Sequence, residues 1–138
     1  MVLGSLLEGQ ALTSTIGLFK GICAGQILAM MFGICDAADT AEVHVAGLDR
    51  PETAGQRYLV CCKDQYSTLE LAQMAFAAGA AGVDIAAWQT DEAVQKLALP
   101  KKPSTDNRKV SAMLGRELIA PEVSVQLAVA SLKAQGHL

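Results

Sequence analysis

Aromatic residues are scarce in this sequence: one Trp, two Tyr and three Phe among 138 residues. That argues against a stacking platform for bases or sugars. An excess of positive charge is missing too, with 11 Lys and Arg against 14 Asp and Glu and a net charge of -3. A protein that grips nucleic acid through a basic face needs the opposite balance, so no nucleic-acid partner is expected. Only two histidines, His44 and His137, accompany the four cysteines Cys23, Cys35, Cys61 and Cys62, and no CxxC pair occurs. No metal-ligand spacing results. The adjacent Cys61 and Cys62 point to opposite faces if that segment is extended. The thiols therefore read as buried and reduced, as in a cytoplasmic protein.

A long apolar run is also lacking. Residues 16–35 are apolar apart from Lys20 and Gln26, but the uncharged part is shorter than the ~20 residues of a spanning helix. No cluster of Lys or Arg flanks it. Gly17, Gly21 and Gly25 recur every fourth residue, a close-packing face in a membrane helix but helix ends and turns in a soluble one. Met1-Val2-Leu3-Gly4 carries no basic stretch and Glu8 follows early, unlike a secretory signal. The expectation is a soluble, cytoplasmic protein without a membrane span.

Hydrophobic residues make up 51% and charged residues 18%, enough to bury a core. There is no internal repeat or clear linker, so residues 1–138 are treated as one unit. Thr13-Ser14-Thr15 is placed to cap a helix towards Lys20, with Gly21 as its stop. Residues 27–35 read as a buried segment, helix or strand. Asp39-Thr40-Ala41-Glu42 has the spacing of a capping box and opens a helix ending before Pro51. Residues 57–62 read as a strand buried on both faces, as in a parallel sheet.

Ser67-Thr68-Leu69-Glu70 is a second capping box, with Leu69, Ala72 and Phe76 on one face of the helix. The Ala- and Gly-rich stretch 77–87 is weakly specified. Thr90 or Asp91 then opens a helical turn holding Val94 and Leu97, and 101–103 form an exposed loop. Asp106 caps a short helix through Met113 that Gly115 ends. Pro121 opens a C-terminal helix whose Val125, Val129 and Leu132 dock on the core. This order of elements fits an α/β chain.

Chemistry-bearing motifs are absent. No GxGxxG or Walker loop occurs, so neither a dinucleotide cradle nor a P-loop is encoded. Tyr58 and Tyr66 are followed four residues later by Cys62 and Glu70 rather than lysine. No GxSxG elbow presents a serine. The residues by themselves assign no catalytic group and no metal site.

Two stretches carry a resemblance. Asp36-Ala37-Ala38-Asp39-Thr40-Ala41-Glu42-Val43-His44-Val45, followed by Leu48-Asp49-Arg50-Pro51-Glu52-Thr53-Ala54-Gly55-Gln56-Arg57-Tyr58-Leu59-Val60, resembles a segment of the extended short-chain dehydrogenase/reductases, within the NAD-dependent epimerase/dehydratase superfamily. It is most similar to the dihydroflavonol and cinnamoyl-CoA reductases. Asp106-Asn107-Arg108-Lys109-Val110 and Leu114-Gly115 resemble an element near that family's C-terminus. The family's arginine within the first motif is absent at Ala37-Ala38.

The resemblance implies an α/β fold: the substrate-binding C-terminal part of a Rossmann-type reductase, with the dinucleotide-binding N-terminal half missing. Val2-Leu3-Gly4 looks like the end of a family segment near the nicotinamide, with Ser5 where the family has proline. It therefore implies Val2 and Gly4 as cofactor-binding residues and Ile16, Met31 and Phe32 as substrate-pocket wall. The implied cofactor is NADP or NAD, and the implied substrate a small molecule with a ketone, aldehyde or thioester carbonyl. Because the glycine loop and Tyr-x-x-x-Lys pair are missing, the chain alone is expected to bind no dinucleotide and to be inactive. The alternative is a non-catalytic interaction module derived from that fold, self-associating through an exposed apolar face.

Overall fold

The computed structural model describes residues 1–28, 30–82, 84, 86, 92 and 103–138. The helical turn expected at Thr90 or Asp91 with Val94 and Leu97 lies outside the described residues, as does Lys101-Lys102. Among the described residues the elements are β1 (Val2–Leu3), α1 (Ser14–Cys23), β2 (Met31–Gly33), β3 (Cys35–Asp36), α2 (Ala37–Asp49), β4 (Gln65–Ser67), α3 (Thr68–Ala77), α4 (Arg108–Leu114) and α5 (Pro121–Ala134). In the numbering of this sequence a 3-10 turn at Pro51–Thr53 follows α2. The architecture is mixed α/β.

Residues 31–36 form an extended run interrupted only at Ile34. On one side β3 pairs with β1 in parallel, Val2 facing Cys35 and Leu3 facing Asp36. On the other, β2 pairs with β4 antiparallel, Phe32 opposite Tyr66. Within the segment 27–35, residues 31–33 and 35 are strand and the described residues 27, 28 and 30 are in neither helix nor strand, an outcome that an apolar pattern alone leaves ambiguous. The described residues of the apolar stretch 16–35 are divided among a helix, two strands and irregular chain between them. Among the described residues no helix is long and apolar enough to cross a membrane.

α1 outruns its expected stop. Gly21 lies inside the helix, which ends at Cys23, and Gly25 takes the left-handed conformation at φ +97°. The N–H of Gly25 donates to Ile22 O and that of Gln26 to Gly21 O, the paired closure of a Schellman motif. Gly17 has a different reason to be glycine: a Cβ there would stand 2.8 Å from the carbonyl oxygen of Leu12. Thr13 occupies the N-cap position without a side-chain cap bond, and Thr15 Oγ1 instead donates to Val2 O at 3.1 Å.

The first capping box is corrected as well. α2 begins at Ala37, and its cap is Asp36, whose Oδ1 accepts from Ala38 N–H at 2.8 Å. Asp39 falls in the first turn and is turned into the interior. The second box is present, with Ser67 Oγ accepting from Glu70 N–H and Glu70 Oε2 accepting from Ser67 N–H. Its helix, however, buries Thr68, Leu71, Ala72 and Ala75, while Phe76 is 55% exposed. The face is rotated from the one expected because α3 is covered by both α1 and α5.

The strand expected over 57–62 does not form. Tyr58 and Val60 turn onto Val43, Val110 and Met113, while Leu59 is 57% exposed. One side only is covered, so burial on both faces fails. The N–H of Cys62 does reach the sheet, donating to Ile34 O at 2.7 Å.

The cap expected at Asp106 is displaced: α4 begins at Arg108 with Asn107 as its N-cap and no side-chain cap bond, and Asp106, one residue further out, accepts from Arg108 N–H through Oδ1. Gly115 closes α4 at φ +70° as expected. Pro121 opens α5, and Val125, Val129 and Leu132 are fully buried. Each such side chain contributes about 1.5–3 kcal/mol of burial as an upper estimate. The main core joins these three to Leu3, Phe19, Ile22, Ile34 and Leu71.

Candidate functional site

The cavity beside β1 is built where three chain segments converge. Val2 and Leu3 end the parallel pairing, the loop after Gly4 leads away, and the first turn of α1 with Ala37 of α2 closes the other side. Its volume is about 250 Å³, and its lining includes Val2, Gly4, Ser5, Thr13, Ser14, Thr15 and Ile16. Gly4 has φ +146°, and a Cβ there would press to 3.3 Å from Ala37 Cβ. Ser14, a non-glycine residue, has φ +50°. Such a conformation costs on the order of 1–3 kcal/mol and is held by surrounding structure.

Beneath this wall lies Asp36, 2% exposed. Its Oδ1 holds the first turn of α2, and its Oδ2 accepts from Ser124 Oγ at 2.7 Å. One carboxylate therefore ties β3, α2 and α5 together and fixes the floor on which Gly4 rests.

Of the residues implied by resemblance, the structure brings Val2, Gly4 and Ile16 around one cavity. Met31 and Phe32 are placed elsewhere, on β2: Met31 is half-buried and Phe32 is packed into the main core. Ser5, Thr13, Ser14, Thr15 and Ala37 also line the cavity. The run Thr13-Ser14-Thr15 was visible in the sequence, but only as a helix start. Its convergence with Val2 depends on a tertiary contact.

The lining decides what the cavity can do. It offers hydroxyls, the Gln10 amide, backbone groups and apolar side chains, and among the described residues no ionisable side chain lines it. A small neutral group with hydrogen-bonding edges, such as a carboxamide or a carbonyl, suits it. A pyrophosphate does not, because no cation stands there to neutralise it. The volume is also below the roughly 300–1,000 Å³ of pockets that enclose drug-sized ligands. The cavity among these residues thus has room for a small neutral group and not for a whole dinucleotide.

Acid–base chemistry has no seat in the lining. Tyr66 lies on β4, and burial, with Glu122 and other carboxylates nearby, pushes its phenol up from its ordinary value. Lys109 Nζ sits 4.6 Å from the ring centre of Tyr58, but it also donates to Gln56 Oε1 and Arg57 O. That lysine fastens α4 to the stretch after α2. Asn107 Nδ2 donates to Cys61 O and Arg50 Nη1 to Met113 O, so the two motif-bearing stretches are joined by structural contacts. Among the described residues no group of three His, Cys, Asp or Glu is arranged to hold a metal ion.

No protein-family model matches the sequence, and no curated protein matches it. A solved structure described as a reductase, engineered under structural guidance to attenuate substrate inhibition in asymmetric catalysis, is similar to it. The TM-score is 0.65 at 17% sequence identity, and the similarity covers 96% of this chain. This chain spans 41% of the length of that one. The fold is therefore reductase-like, a statement about architecture at this level of identity.

Proposed function

We propose that these residues form the substrate-facing part of a nicotinamide-dependent carbonyl reductase of the dihydroflavonol or cinnamoyl-CoA reductase type. The observation that carries this reading is the convergence of Val2, Gly4 and Ile16 on one uncharged cavity in a chain with a reductase-like fold. NADP or NAD, when bound, supplies the hydride. This chain's own residues orient and enclose: Gly4 allows close approach, Ser5 and Thr13 offer hydroxyls, and Ile16 excludes water. Binding of the phosphates and proton transfer require residues beyond these, so the isolated chain neither binds the dinucleotide nor turns over substrate.

The test joins this chain to the portion of the structurally similar reductase that it does not span and measures NADPH oxidation with aldehydes, dihydroflavonols and cinnamoyl thioesters. The chimera is expected to be active and the isolated chain inert. Ser5→Trp, which blocks the cavity from an exposed position, should abolish the chimera's turnover while leaving its melting midpoint unchanged. NADPH oxidation by the isolated chain, or a folded chimera that binds NADPH and reduces none of these carbonyls, would overturn the reading.

A second reading is favoured by Val45 and Leu48 on α2, which are 57% and 87% exposed and lie three residues apart on one helical face. It is a non-catalytic module that self-associates through this stripe. Sedimentation of the chain and of Leu48→Glu separates the two readings: a monomer at all concentrations ends the second.

A further inference from the structure

Cys35 and Cys61 are both half-buried, and the backbone sets their relation. β2 and β4 pair as far as Gly33 opposite Gln65. Past a local slip, Cys62 N–H donates to Ile34 O at 2.7 Å, and Ile34 N–H donates back to Cys62 Sγ at 3.2 Å. Ile34 and Cys62 thus stand opposite one another in antiparallel directions. One step further along the two segments Cys35 and Cys61 come into the same neighbourhood, without a strand pairing between them, and the Cys61 side chain is near enough to act electrostatically on the Cys35 thiol.

A second observation fixes the face. A Cβ built on Gly33 would fall 2.3 Å from Cys61 Sγ, so the thiol occupies the space left by the missing side chain. Gly33 and Cys35, two residues apart on an extended run, share a face. The Cys61 sulfur therefore lies on the face that also carries Cys35.

We infer that Cys35 and Cys61 form a dithiol that hydrogen peroxide closes to an intramolecular disulfide. In the first step the Cys61 thiolate attacks a peroxide oxygen. The O–O bond breaks, Cys61 becomes a sulfenic acid, and the departing hydroxide takes up the proton as water. Next, Cys35 sulfur attacks Cys61 sulfur. The S–S bond forms, the S–O bond breaks and a second water leaves. Two thiols are oxidised and one peroxide is reduced.

Cys62 lies beside the Cys61 thiol, but its own Sγ donates to Asp64 O at 2.9 Å and accepts from Ile34 N–H. Burial pushes its thiol up to about 11, as it does that of Cys23 in α1. Cys35, raised by burial and donating to Met1 O at 3.7 Å, is suited to the resolving role. Cys35 also pairs with Val2, which lines the cavity, so closure stiffens the cavity's edge.

The full chain, reduced and then exposed to hydrogen peroxide, should lose two hydrogens while remaining monomeric. Fragmentation of its proteolytic peptides should place the link between Cys35 and Cys61. The oxidised form should melt on the order of 5–10 °C higher, because the link closes the loop carrying α2. Phenylarsine oxide should form a single adduct with the reduced chain, lost in Cys35→Ser and in Cys61→Ser but kept in Cys23→Ser. Oxygen addition at Cys61 without a link, a link to Cys62 or Cys23, or a covalent dimer overturns the inference. The mapping on the unsubstituted chain decides the matter even where a variant fails to fold.

Discussion

The guanidinium of Arg116 lies 2.7 Å from the carboxylate of Asp39, whose side chain is entirely buried. The same guanidinium reaches Glu42 on the next turn of α2, and both carboxylates raise its pKa above the ordinary value, Glu42 the more. The Asp39 Oδ1 contact is one of charge, without an aligned hydrogen bond. Its Oδ2 accepts from Ile119 N–H at 2.8 Å, so Asp39 pins the connection leading into α5.

Asp39→Ala should therefore lower stability by about 2–4 kcal/mol, since it leaves the Ile119 N–H unsatisfied and removes the buried partner of Arg116. Asp39→Asn keeps an acceptor and should cost less. Urea denaturation checks both. A midpoint for the alanine variant equal to that of the parent chain would show that the contact contributes little.

Two glycines in helices should respond in opposite directions to alanine. Gly47 in α2 meets no atom within 4 Å, so Gly47→Ala should stabilise by about 0.5–1 kcal/mol through helix propensity alone. Gly17 in α1 faces the Leu12 carbonyl at 2.8 Å. That is backbone, which cannot swing aside, so Gly17→Ala should destabilise by about 1–3 kcal/mol. Thermal unfolding of the two variants tests the sign, and a stabilised Gly17→Ala would disprove the close approach.

Alkaline pH should weaken the fold. Burial raises the thiols of Cys23 and Cys62 from 9.0 to about 11. The unfolded chain ionises these thiols first, so their contribution is complete below pH 9 and is lost as pH rises towards about 11. Urea midpoints between pH 7 and 11 should be flat and then fall. Cys23→Ala should reduce the steepness of that fall even though it removes buried volume.

At the acid end, the Arg108 guanidinium holds exposed Asp106 down from 3.8 to about 2, through its side chain first and then its backbone N–H. This contribution is present above the ordinary carboxylate range and is lost as pH falls through about 2. Because both side chains are solvent-exposed, Asp106→Asn should change the neutral-pH melting temperature little. A carboxyl NMR titration of Asp106 near 4 rather than 2 would contradict the pairing.

Local signals were legible where the chemistry is local. The Ser67–Glu70 capping box, the Gly115 stop and the Pro121 helix start each depend on groups a few residues apart, and each forms as read. So does the Val125, Val129 and Leu132 stripe, whose spacing alone sets a helical face. Failures occurred where distant chain decides. Asp39 reads as a cap in sequence, yet Arg116 and Ile119 give it a buried role. Residues 57–62 read as a buried strand, yet packing on α4 covers only alternate side chains.

The sequence by itself determined the α/β character, the starts of α3 and α5 set by the Ser67–Glu70 box and Pro121, the Gly115 stop and the amphipathic face of α5. Tertiary structure alone decided that Val2, Gly4 and Ile16 share a cavity, that Met31 and Phe32 stand apart from it, and that Phe32 lies opposite Tyr66. Helix signals act through bonds between near neighbours, whereas a cavity and a cross-strand pair depend on which distant segments come to lie side by side.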